Sequence, residues 1–314
     1  MARVLVTRSL PEGGLEVLTR AGHEIVQVAE PLSHAELVAV APTFDAIVCL
    51  LFDPLDAEVL EAGVAGRLRV VGTVAVGHDN IDVAAAHRLG VAVCNTPGVL
   101  DDSTADLAFL LVLAAARRAS EAEADLRDDH WEGGRFDTYY GVDVHGAVLG
   151  VVGLGRIGQA VARRAAGFGM EVIHHTRRDT GITGWTPALD DLLARSDIVT
   201  LHVPLTDETR LLIDARRLAL MKPTAVLVNT ARGLVVDEEA LAIALEEGRL
   251  FAAGIDVYQR EPEVHPRLRA APHTTLLPHI GSATWATRLR MTELACEGVV
   301  AVLAGRRPPN LVTP

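Results

Sequence analysis

Three glycines have the spacing of a turn that binds phosphate groups. Gly153, Gly155 and Gly158 follow the apolar run VLGVV and precede QAVARRAAGFG, whose apolar residues recur at helical spacing. In such a strand, turn and helix, the first glycine permits the tight turn, the second lets a pyrophosphate approach the backbone, and the third lets the helix pack on the strand. The amides at the start of the helix then face the phosphates. A lone pattern of this kind is weak evidence, but with this strand and helix around it we predict a dinucleotide site.

The composition excludes several other classes of partner. The chain has 314 residues, of which 49% are hydrophobic, and a net charge of −12 without a basic run. This balance disfavours nucleic acid and anionic membranes as partners. Cys49, Cys94 and Cys296 lie apart among apolar residues without metal-ligand spacing, which indicates reduced core residues of a cytoplasmic protein and no metal. The N-terminus does not have the pattern of a signal peptide, and the longest apolar run is too short to span a membrane.

The elements that must position the glycine turn form two α/β patterns. Residues 3–96 alternate five β-rich runs with helical segments, which predicts a doubly wound parallel sheet. No glycine fingerprint follows the first of these runs, so we interpret this half as a flavodoxin-like substrate domain. A second set of strands and helices, from residue 148 to residue 281, predicts a Rossmann dinucleotide-binding domain. A last helix from Ser282 towards Ala304 returns the chain to the first half. The predicted domains are therefore residues 1–99 with 282–314, and residues 100–281 inserted between them.

A long apolar helix and an aromatic loop connect the two patterns. The helix is predicted to begin at Asp102 or Ser103 and to continue through residue 129. Its first half is apolar nearly all round, which requires burial on more than one side. Two interpretations stay open: a core helix between domains, or a core helix that also forms a dimer interface. Residues 131–141, WEGGRFDTYYG, are predicted to form a loop.

Six motifs in order carry a resemblance over nearly the whole chain. They are VAVGHDNID at 74–82, NTPGVLDDSTADLA at 95–108, VGLGRIGQ at 152–159, VNTARG at 228–233, GIDVYQREP at 254–262 and LPHIGSAT at 277–284. With them the chain resembles the D-isomer-specific 2-hydroxyacid dehydrogenases, particularly the glyoxylate and hydroxypyruvate reductase branch. The resemblance implies NAD(P)H-dependent reduction of small 2-oxoacids, an active site in a cleft between the domains, and a homodimer.

The resemblance also implies which residues hold the cofactor. The family's cofactor positions fall on Thr104, Arg156, Ile157, Thr230 and Asp256. Thr104 and the glycine turn would hold phosphates, and Asp256 would receive the nicotinamide carboxamide.

Two side chains at predicted strand ends have the chemistry that 2-oxoacid reduction needs. Arg232 ends the run AVLVNTARG, where a parallel strand delivers side chains into a ligand crevice. Its planar guanidinium suits a carboxylate and can polarise an adjacent keto oxygen. His279 ends TTLLPH in the same way, and histidine can donate a proton to the developing alkoxide near neutral pH. Each could instead be an ordinary structural residue, as a surface ion pair or a core histidine.

Glu261 is the third catalytic candidate. A carboxylate bonded to the imidazole of His279 fixes its tautomer and favours its charged form. In the family, the related formate dehydrogenases have an amide at this position because formate oxidation requires no proton shuttle. A glutamate therefore favours 2-oxoacid chemistry.

The substrate is also expected to contact a backbone turn. The amides of Val74, Ala75, Val76 and Gly77, at the end of a predicted strand, form a candidate anion-binding turn, which would otherwise be an ordinary strand-to-helix connection.

The residues after the second strand of the dinucleotide domain bear on the choice of cofactor. The acidic residue that binds the adenosine ribose normally lies about 20 residues past the glycine turn. Here Thr176, Arg177 and Arg178 occupy that region. Loss of the carboxylate and gain of two guanidinium groups predict a preference for NADPH, with NADH possible if the arginines are merely solvated. Two other functions stay open: another D-2-hydroxyacid dehydrogenase, such as one for 3-phosphoglycerate, or a dinucleotide-sensing interaction protein of the same fold.

Overall fold

The computed structural model describes residues 1–313, which form two compact units. One unit consists of Met1–Leu100 and the described residues from Ser282 onwards, and we call it the split unit. The other, Asp101–Gly281, is the inserted unit.

The split unit is built on a five-stranded parallel sheet. Its strands are β1 (Arg3–Val6), β2 (Glu24–Gln27), β3 (Ala46–Cys49), β4 (Val70–Thr73) and β5 (Ala92–Cys94), in the order β2-β1-β3-β4-β5. This is the flavodoxin-like order, as predicted. Its helices are α1 (Glu16–Arg20), α2 (His34–Val40), α3 (Ala57–Gly66), α4 (Val83–Leu89) and, at the end of the chain, α12 (Trp285–Leu303). A short 3-10 turn covers Ala41–Thr43.

Short apolar runs and side-chain caps define these elements. β3 and β4 are buried along their whole length, as strands covered by helices on both faces must be. Asp56 caps α3 and Asp82 caps α4 by accepting a backbone amide three residues ahead. Gly72 lets α12 approach the sheet closely, since an added Cβ would lie 2.8 Å from the side chain of Val299. The last helix therefore belongs to this unit.

The inserted unit is built on six parallel strands. They are β6 (Val148–Val152), β7 (Glu171–His175), β8 (Ile198–Leu201), β9 (Val226–Asn229), β10 (Ala252–Ile255) and β11 (Thr274–Leu276), in the order β11-β10-β9-β8-β6-β7. Its helices are α5 (Asp101–Ala116), α6 (Ala119–Arg127), α7 (Arg156–Ala165), α8 (Leu189–Arg195), α9 (Ala215–Leu218), α10 (Glu238–Glu246) and α11 (Pro266–Ala270), with 3-10 turns at Ala166–Phe168 and Gly233–Val235.

The order in which strands are added to the inserted sheet reverses at β6. From β6 the chain adds β7 on one side and then returns to add β8 on the other. Apolar cores cover both faces: Leu227 of β9 points to one, and Val226 and Val228 to the other. The predicted doubly wound fold is confirmed, with a single strand beyond β6. Ligands of such sheets bind outside the carboxyl ends of the strands at the reversal, here between β6 and β8.

The predicted continuous helix from residue 102 to residue 129 is wrong. α5 ends at Ala116 and α6 begins at Ala119, because Arg118 has a left-handed backbone with φ 52°. The carbonyl of Ala116 accepts the amide of Val142 from the returning loop, whereas in a continuous helix it would accept an amide four residues ahead. Residues 131–141 contain no helix or strand.

The three cysteines are buried thiols without a disulfide bond. Burial raises the pKa of each of Cys49, Cys94 and Cys296 to about 12, which makes the reactive thiolate rare. Over residues 1–313, no helix is long and apolar enough to cross a membrane.

Candidate active site

The glycine turn joins β6 to α7 at the reversal of the inserted sheet. Gly153 has φ +92°, and an added Cβ would lie 2.6 Å from the carbonyl oxygen of His202, which follows β8. At Gly158 an added Cβ would overlap the carbonyl oxygen of Gly153, so α7 could not approach the turn. Around Gly155 an added Cβ would meet no atom within 4 Å. The turn is therefore packed at its first and third glycines and open at the second, as phosphate binding requires.

The start of α7 supplies donors for an anion. Gly155 is the N-cap residue of this ten-residue helix and has no side chain to cap it. The first amides of the helix therefore point away from its body without an N-cap side chain as acceptor. The aligned peptide dipoles favour negative charge at the same position. Arg156 and Ile157 open this helix, which places the predicted phosphate contacts on its first turn.

The loop after β7 contains the predicted ribose-contacting residues. Thr176 donates its hydroxyl to the carbonyl of Arg178 at 2.7 Å and accepts the indole N–H of Trp185 at its own carbonyl. Arg177 and Arg178 are exposed. The pKa of Glu208, in the loop after β8, is lowered mainly by a hydrogen bond from Thr206 and in part by the charge of Arg177. The charge of Arg177 is therefore close enough to act on the loop after β8.

His279 and Glu261 form a hydrogen-bonded pair. Nδ1 of His279 lies 2.7 Å from Oε2 of Glu261, and both side chains are largely buried, with 19% and 16% of their surface exposed. The other carboxylate oxygen of Glu261 accepts the amide of Tyr258 at 2.9 Å. A carboxylate can only accept here, so the pair assigns the imidazole proton to Nδ1 when the ring is neutral. Nε2 is then the ring nitrogen on the side away from Glu261.

Asp256 fixes the turn that carries His279. Its backbone carbonyl accepts the amide of His279 at 2.8 Å, and its two carboxylate oxygens accept the amides of Ile280 and Gly281 at 2.8 and 2.9 Å. Burial raises the pKa of Asp256, while these amides and the charge of His279 oppose the shift. The three bonds hold His279 in a left-handed conformation, φ 54°. Asp256, which follows β10, thereby positions His279, which follows β11.

Arg232 lies on the turn after β9. Asn229 holds this turn by donating its side-chain amide to the carbonyl of Arg232 at 2.9 Å and accepting the amide of Ala231 at 3.0 Å. Arg232 itself donates from Nη1 to the carbonyl of Ala231. At Gly233 an added Cβ would overlap the backbone of Tyr258, so the turns after β9 and β10 are in direct contact. Arg232, Glu261 and His279 thus come from three adjacent strand ends of one sheet.

Two predicted cofactor-contacting threonines fit a polar ligand at this edge. Thr104 of α5 is buried, and a Cβ added at Gly281 would lie 3.4 Å from it and from the Asp256 carboxylate. Oγ1 of Thr230 is buried without a hydrogen-bond partner among the described residues. Such a group normally has a partner, which a bound nicotinamide dinucleotide could supply. Together with the open space at Gly155 and the amides of α7, these residues fit that cofactor.

The predicted substrate turn follows β4 in the split unit. The amide of Val74 donates to the carbonyl of Cys49 at 2.8 Å and is therefore not available to a substrate. The remaining candidate donors are the backbone amides of Ala75, Val76 and Gly77. The carbonyls of Ala75 and Val76 accept the amide of Thr96 and the side chain of Asn95. These bonds fix the turn through its carbonyls.

No group of three or more His, Cys, Asp or Glu side chains is arranged to hold a metal ion within residues 1–313.

Comparison with known proteins identifies the family. The family model for the "D-isomer specific 2-hydroxyacid dehydrogenase, NAD binding domain" matches residues 109–281, more than half of the chain. The chain belongs to the D-isomer-specific 2-hydroxyacid dehydrogenase family. The prediction from the six motifs is confirmed.

The relatives of this family member match it from end to end. A glyoxylate reductase of Thermococcus onnurineus is 45% identical, with 99% of this chain and 95% of the relative covered. A solved protein of Thermus thermophilus has a TM-score of 0.93 and 44% identity, with 99% and 100% covered. The NADPH-dependent glyoxylate/hydroxypyruvate reductase of Sinorhizobium meliloti, solved with NADP and malonate, has a TM-score of 0.89 and 33% identity, with 99% and 96% covered.

Three further residues that shape the site were not predicted from the sequence. Asn229 fixes the Arg232 turn, and Tyr258 donates its hydroxyl to the carbonyl of Leu277 at 2.9 Å, which ties the end of β10 to that of β11. Glu238 accepts the amide of Gln259 at 2.6 Å, next to the segment that carries Glu261. Asn229 and Tyr258 lie within quoted motifs and could have been found there. Glu238 has the appearance of an ordinary acidic residue in the first turn of a helix.

Proposed function

We propose that this protein is an NADPH-preferring reductase of small 2-oxoacids, with glyoxylate and hydroxypyruvate as its first substrates. The hydrogen bond between His279 and Glu261, at the sheet edge that also carries Arg232, is the observation that carries the proposal. Relatives 41–45% identical over nearly the whole chain are glyoxylate reductases, which supports the same substrate class here. In this proposal the inserted unit binds the dinucleotide and the split unit contributes the turn at residues 75–77 to substrate binding.

The side chains divide the reaction between them. Arg232 binds the substrate carboxylate and polarises the adjacent keto oxygen. The glycine turn, Thr104 and Thr230 would hold the reduced nicotinamide dinucleotide, which would supply the hydride for the substrate C2. His279 gives a proton to the resulting alkoxide from Nε2, and Glu261 stabilises the imidazolium that donates it. One hydride and one proton convert the keto group to a hydroxyl group.

The reaction is tested by following NADPH absorbance with glyoxylate, hydroxypyruvate, pyruvate and phosphohydroxypyruvate. We expect rapid oxidation with one of the first two. Rapid oxidation with phosphohydroxypyruvate alone would instead favour a 3-phosphoglycerate dehydrogenase. Tight NADPH binding without turnover of any of the four would favour a dinucleotide-sensing protein.

The cofactor preference is proposed to depend on Arg177 and Arg178. Replacing both by alanine is expected to lower kcat/KM for NADPH by about 10- to 100-fold and to change kcat/KM for NADH little. The reason is that only NADPH has a 2′-phosphate, which accepts charge-assisted hydrogen bonds from the guanidinium groups. Steady-state kinetics with both cofactors measure this.

Arg195→Ala is the matched control for the cofactor prediction, since it removes an exposed arginine from the same unit, on α8. Its kinetics should equal those of the wild type. A tenfold preference of the wild type for NADH would refute the NADPH assignment while leaving the reductase proposal intact.

A homodimer is proposed from the apolar surface of the inserted unit. α5, α6 and the following loop expose large side chains to solvent: Leu110, Leu126, Trp131, Phe136 and Tyr140. Exposed apolar side chains concentrated in one segment make that segment the candidate interaction site, and a second copy of the chain is the partner that the family resemblance implies. Sedimentation equilibrium is expected to give twice the chain mass of 33.4 kDa, and Leu110→Asp is expected to shift the equilibrium to the monomer. A wild type that sediments only as a monomer would contradict this.

The cytoplasm is the proposed compartment, supported by three buried, unbridged cysteines. Neither nucleic acid nor a membrane is a proposed partner, in keeping with the net charge of −12.

A further inference from the structure

Glu238 is a buried carboxylate that the proposed reaction does not use. It lies in the first turn of α10 with 4% of its surface exposed. A buried carboxylate requires hydrogen-bond partners to offset its lost hydration. The helix does not supply them, because Asp237 already caps α10 by accepting the amide of Ala240 at 3.0 Å. The carboxylate of Glu238 turns instead to the segment that follows β10.

The carboxylate of Glu238 lies beside both ends of the loop that carries Glu261. It accepts the amide of Gln259 at 2.6 Å, and His265, at the other end of the loop, lies near enough to lower its pKa. Residues 259–265 form a loop, with Glu261 in its first half and a tight turn closed by the amide of Glu263 on the carbonyl of Arg260. Glu238 therefore holds the first residue of this seven-residue loop by a hydrogen bond and lies close to the last.

A second hydrogen bond attaches the same end of this loop. Gln259 donates its side-chain amide to the carbonyl of Val236 at 2.6 Å, two residues before Glu238. A cavity of about 340 Å³ lies against the loop, lined in part by Arg260, Glu263 and His265. Because the loop borders open space here, the bond from Glu238 to the amide of Gln259 contributes to the positioning of the loop.

We propose that Glu238 is a positioning residue that holds Glu261 in hydrogen-bonding range of His279. This inference deepens the proposed function and rests on it. Glu238 does not touch the reacting atoms; it restrains the loop, and the loop restrains Glu261. Burial raises the pKa of Glu238, and the nearby charge of Glu261 acts in the same direction, whereas the amides and the charge of His265 oppose it. The hydrogen bond from Gln259 and the charge of His265 thus favour the ionised, accepting form.

Glu238→Gln tests the proposal with an isosteric side chain. The amide accepts through one neutral oxygen in place of a charged carboxylate, so the hydrogen bond to the Gln259 N–H weakens and that end of the loop is held less firmly. We expect kcat for glyoxylate to fall about tenfold, as for a misplaced catalytic group. The dissociation constant of NADPH should not change. Glu239→Gln, which removes the same charge from the neighbouring exposed residue of α10, should behave as the wild type.

A double-mutant cycle separates positioning from a general structural role. If Glu238 acts through Glu261, Glu238→Gln should not lower kcat further in a Glu261→Gln background. Multiplication of the two effects would overturn the proposal, as would full activity of Glu238→Gln. Failure of the proposed function looks different, since the wild type itself would then not turn over.

Amide exchange of the wild-type protein gives a test that needs no variant. The amide of Gln259 should exchange slowly because Glu238 accepts it. Exchange of this amide at the rate of an unstructured peptide would contradict the loop attachment, even if Glu238→Gln failed to fold.

Discussion

Replacement of His279 by alanine is expected to lower kcat for glyoxylate reduction by about 10³-fold. Removal of a positioned general acid typically costs between about 10² and 10⁴ in rate. His279 is the group that can donate this proton, because its Nδ1 is bonded to Glu261 at 2.7 Å and its backbone is held by Asp256. Stopped-flow measurement of NADPH oxidation at saturating glyoxylate isolates the affected step from cofactor binding.

The backbone of His279 requires a second variant and a control. At φ 54° an alanine is strained, whereas asparagine tolerates left-handed conformations, so His279→Asn should lose activity with less loss of stability. His87→Ala, at an exposed position of α4, is the control for loss of a histidine and should keep wild-type rates. A folded His279→Asn that retains more than about a tenth of wild-type kcat would exclude this residue as the proton donor.

Arg232→Lys is expected to lower kcat/KM for glyoxylate by about 100-fold while keeping the positive charge. Lysine cannot reproduce two parallel N–H bonds to a carboxylate, and it cannot reach the keto oxygen at the same time. Much of the loss should be in KM, because the carboxylate is bound before and during the reaction. Initial rates over a range of glyoxylate concentrations give both parameters.

Arg269→Lys provides the comparison for this loss, since Arg269 is exposed on α11 and is not a proposed ligand. The dissociation constant of NADPH should be the same in wild type, Arg232→Lys and Arg269→Lys. An equal loss of NADPH affinity and of kcat/KM in Arg232→Lys would show that Arg232 supports the dinucleotide site and not the substrate carboxylate.

Most strands could be predicted from the sequence because they are short apolar runs. Parallel strands covered on both faces are apolar along their length, and β3, β4, β8 and β9 are buried at every residue. Periodicity does not encode where a helix is interrupted. The break at Arg118 depends on the amide of Val142, which lies 26 residues away from the carbonyl of Ala116 that accepts it.

The site could be predicted in part. Arg232, Glu261 and His279 all follow apolar runs or lie in recognisable motifs, and the structure brings them to three neighbouring strand ends. The motifs contain Asp256 and Asn229, but the backbone amides and carbonyls to which these two residues and Glu238 bond have no signature in the sequence. Val74 differs from the prediction in the opposite way. The motif predicts that its amide is available to a substrate, but this amide donates to the carbonyl of Cys49 in β3.

The central claim is that hydride reaches C2 of a 2-oxoacid while His279 supplies the proton. The most direct measurement is the conversion of hydroxypyruvate with NADPH that carries deuterium at both positions of the nicotinamide C4, followed by mass and NMR analysis of the product. We predict glycerate of the D configuration with deuterium at C2, formed in proportion to the NADPH consumed and greatly slowed in His279→Asn. NADPH oxidation without deuterium at C2 of the product, or a product of the L configuration, would contradict the account.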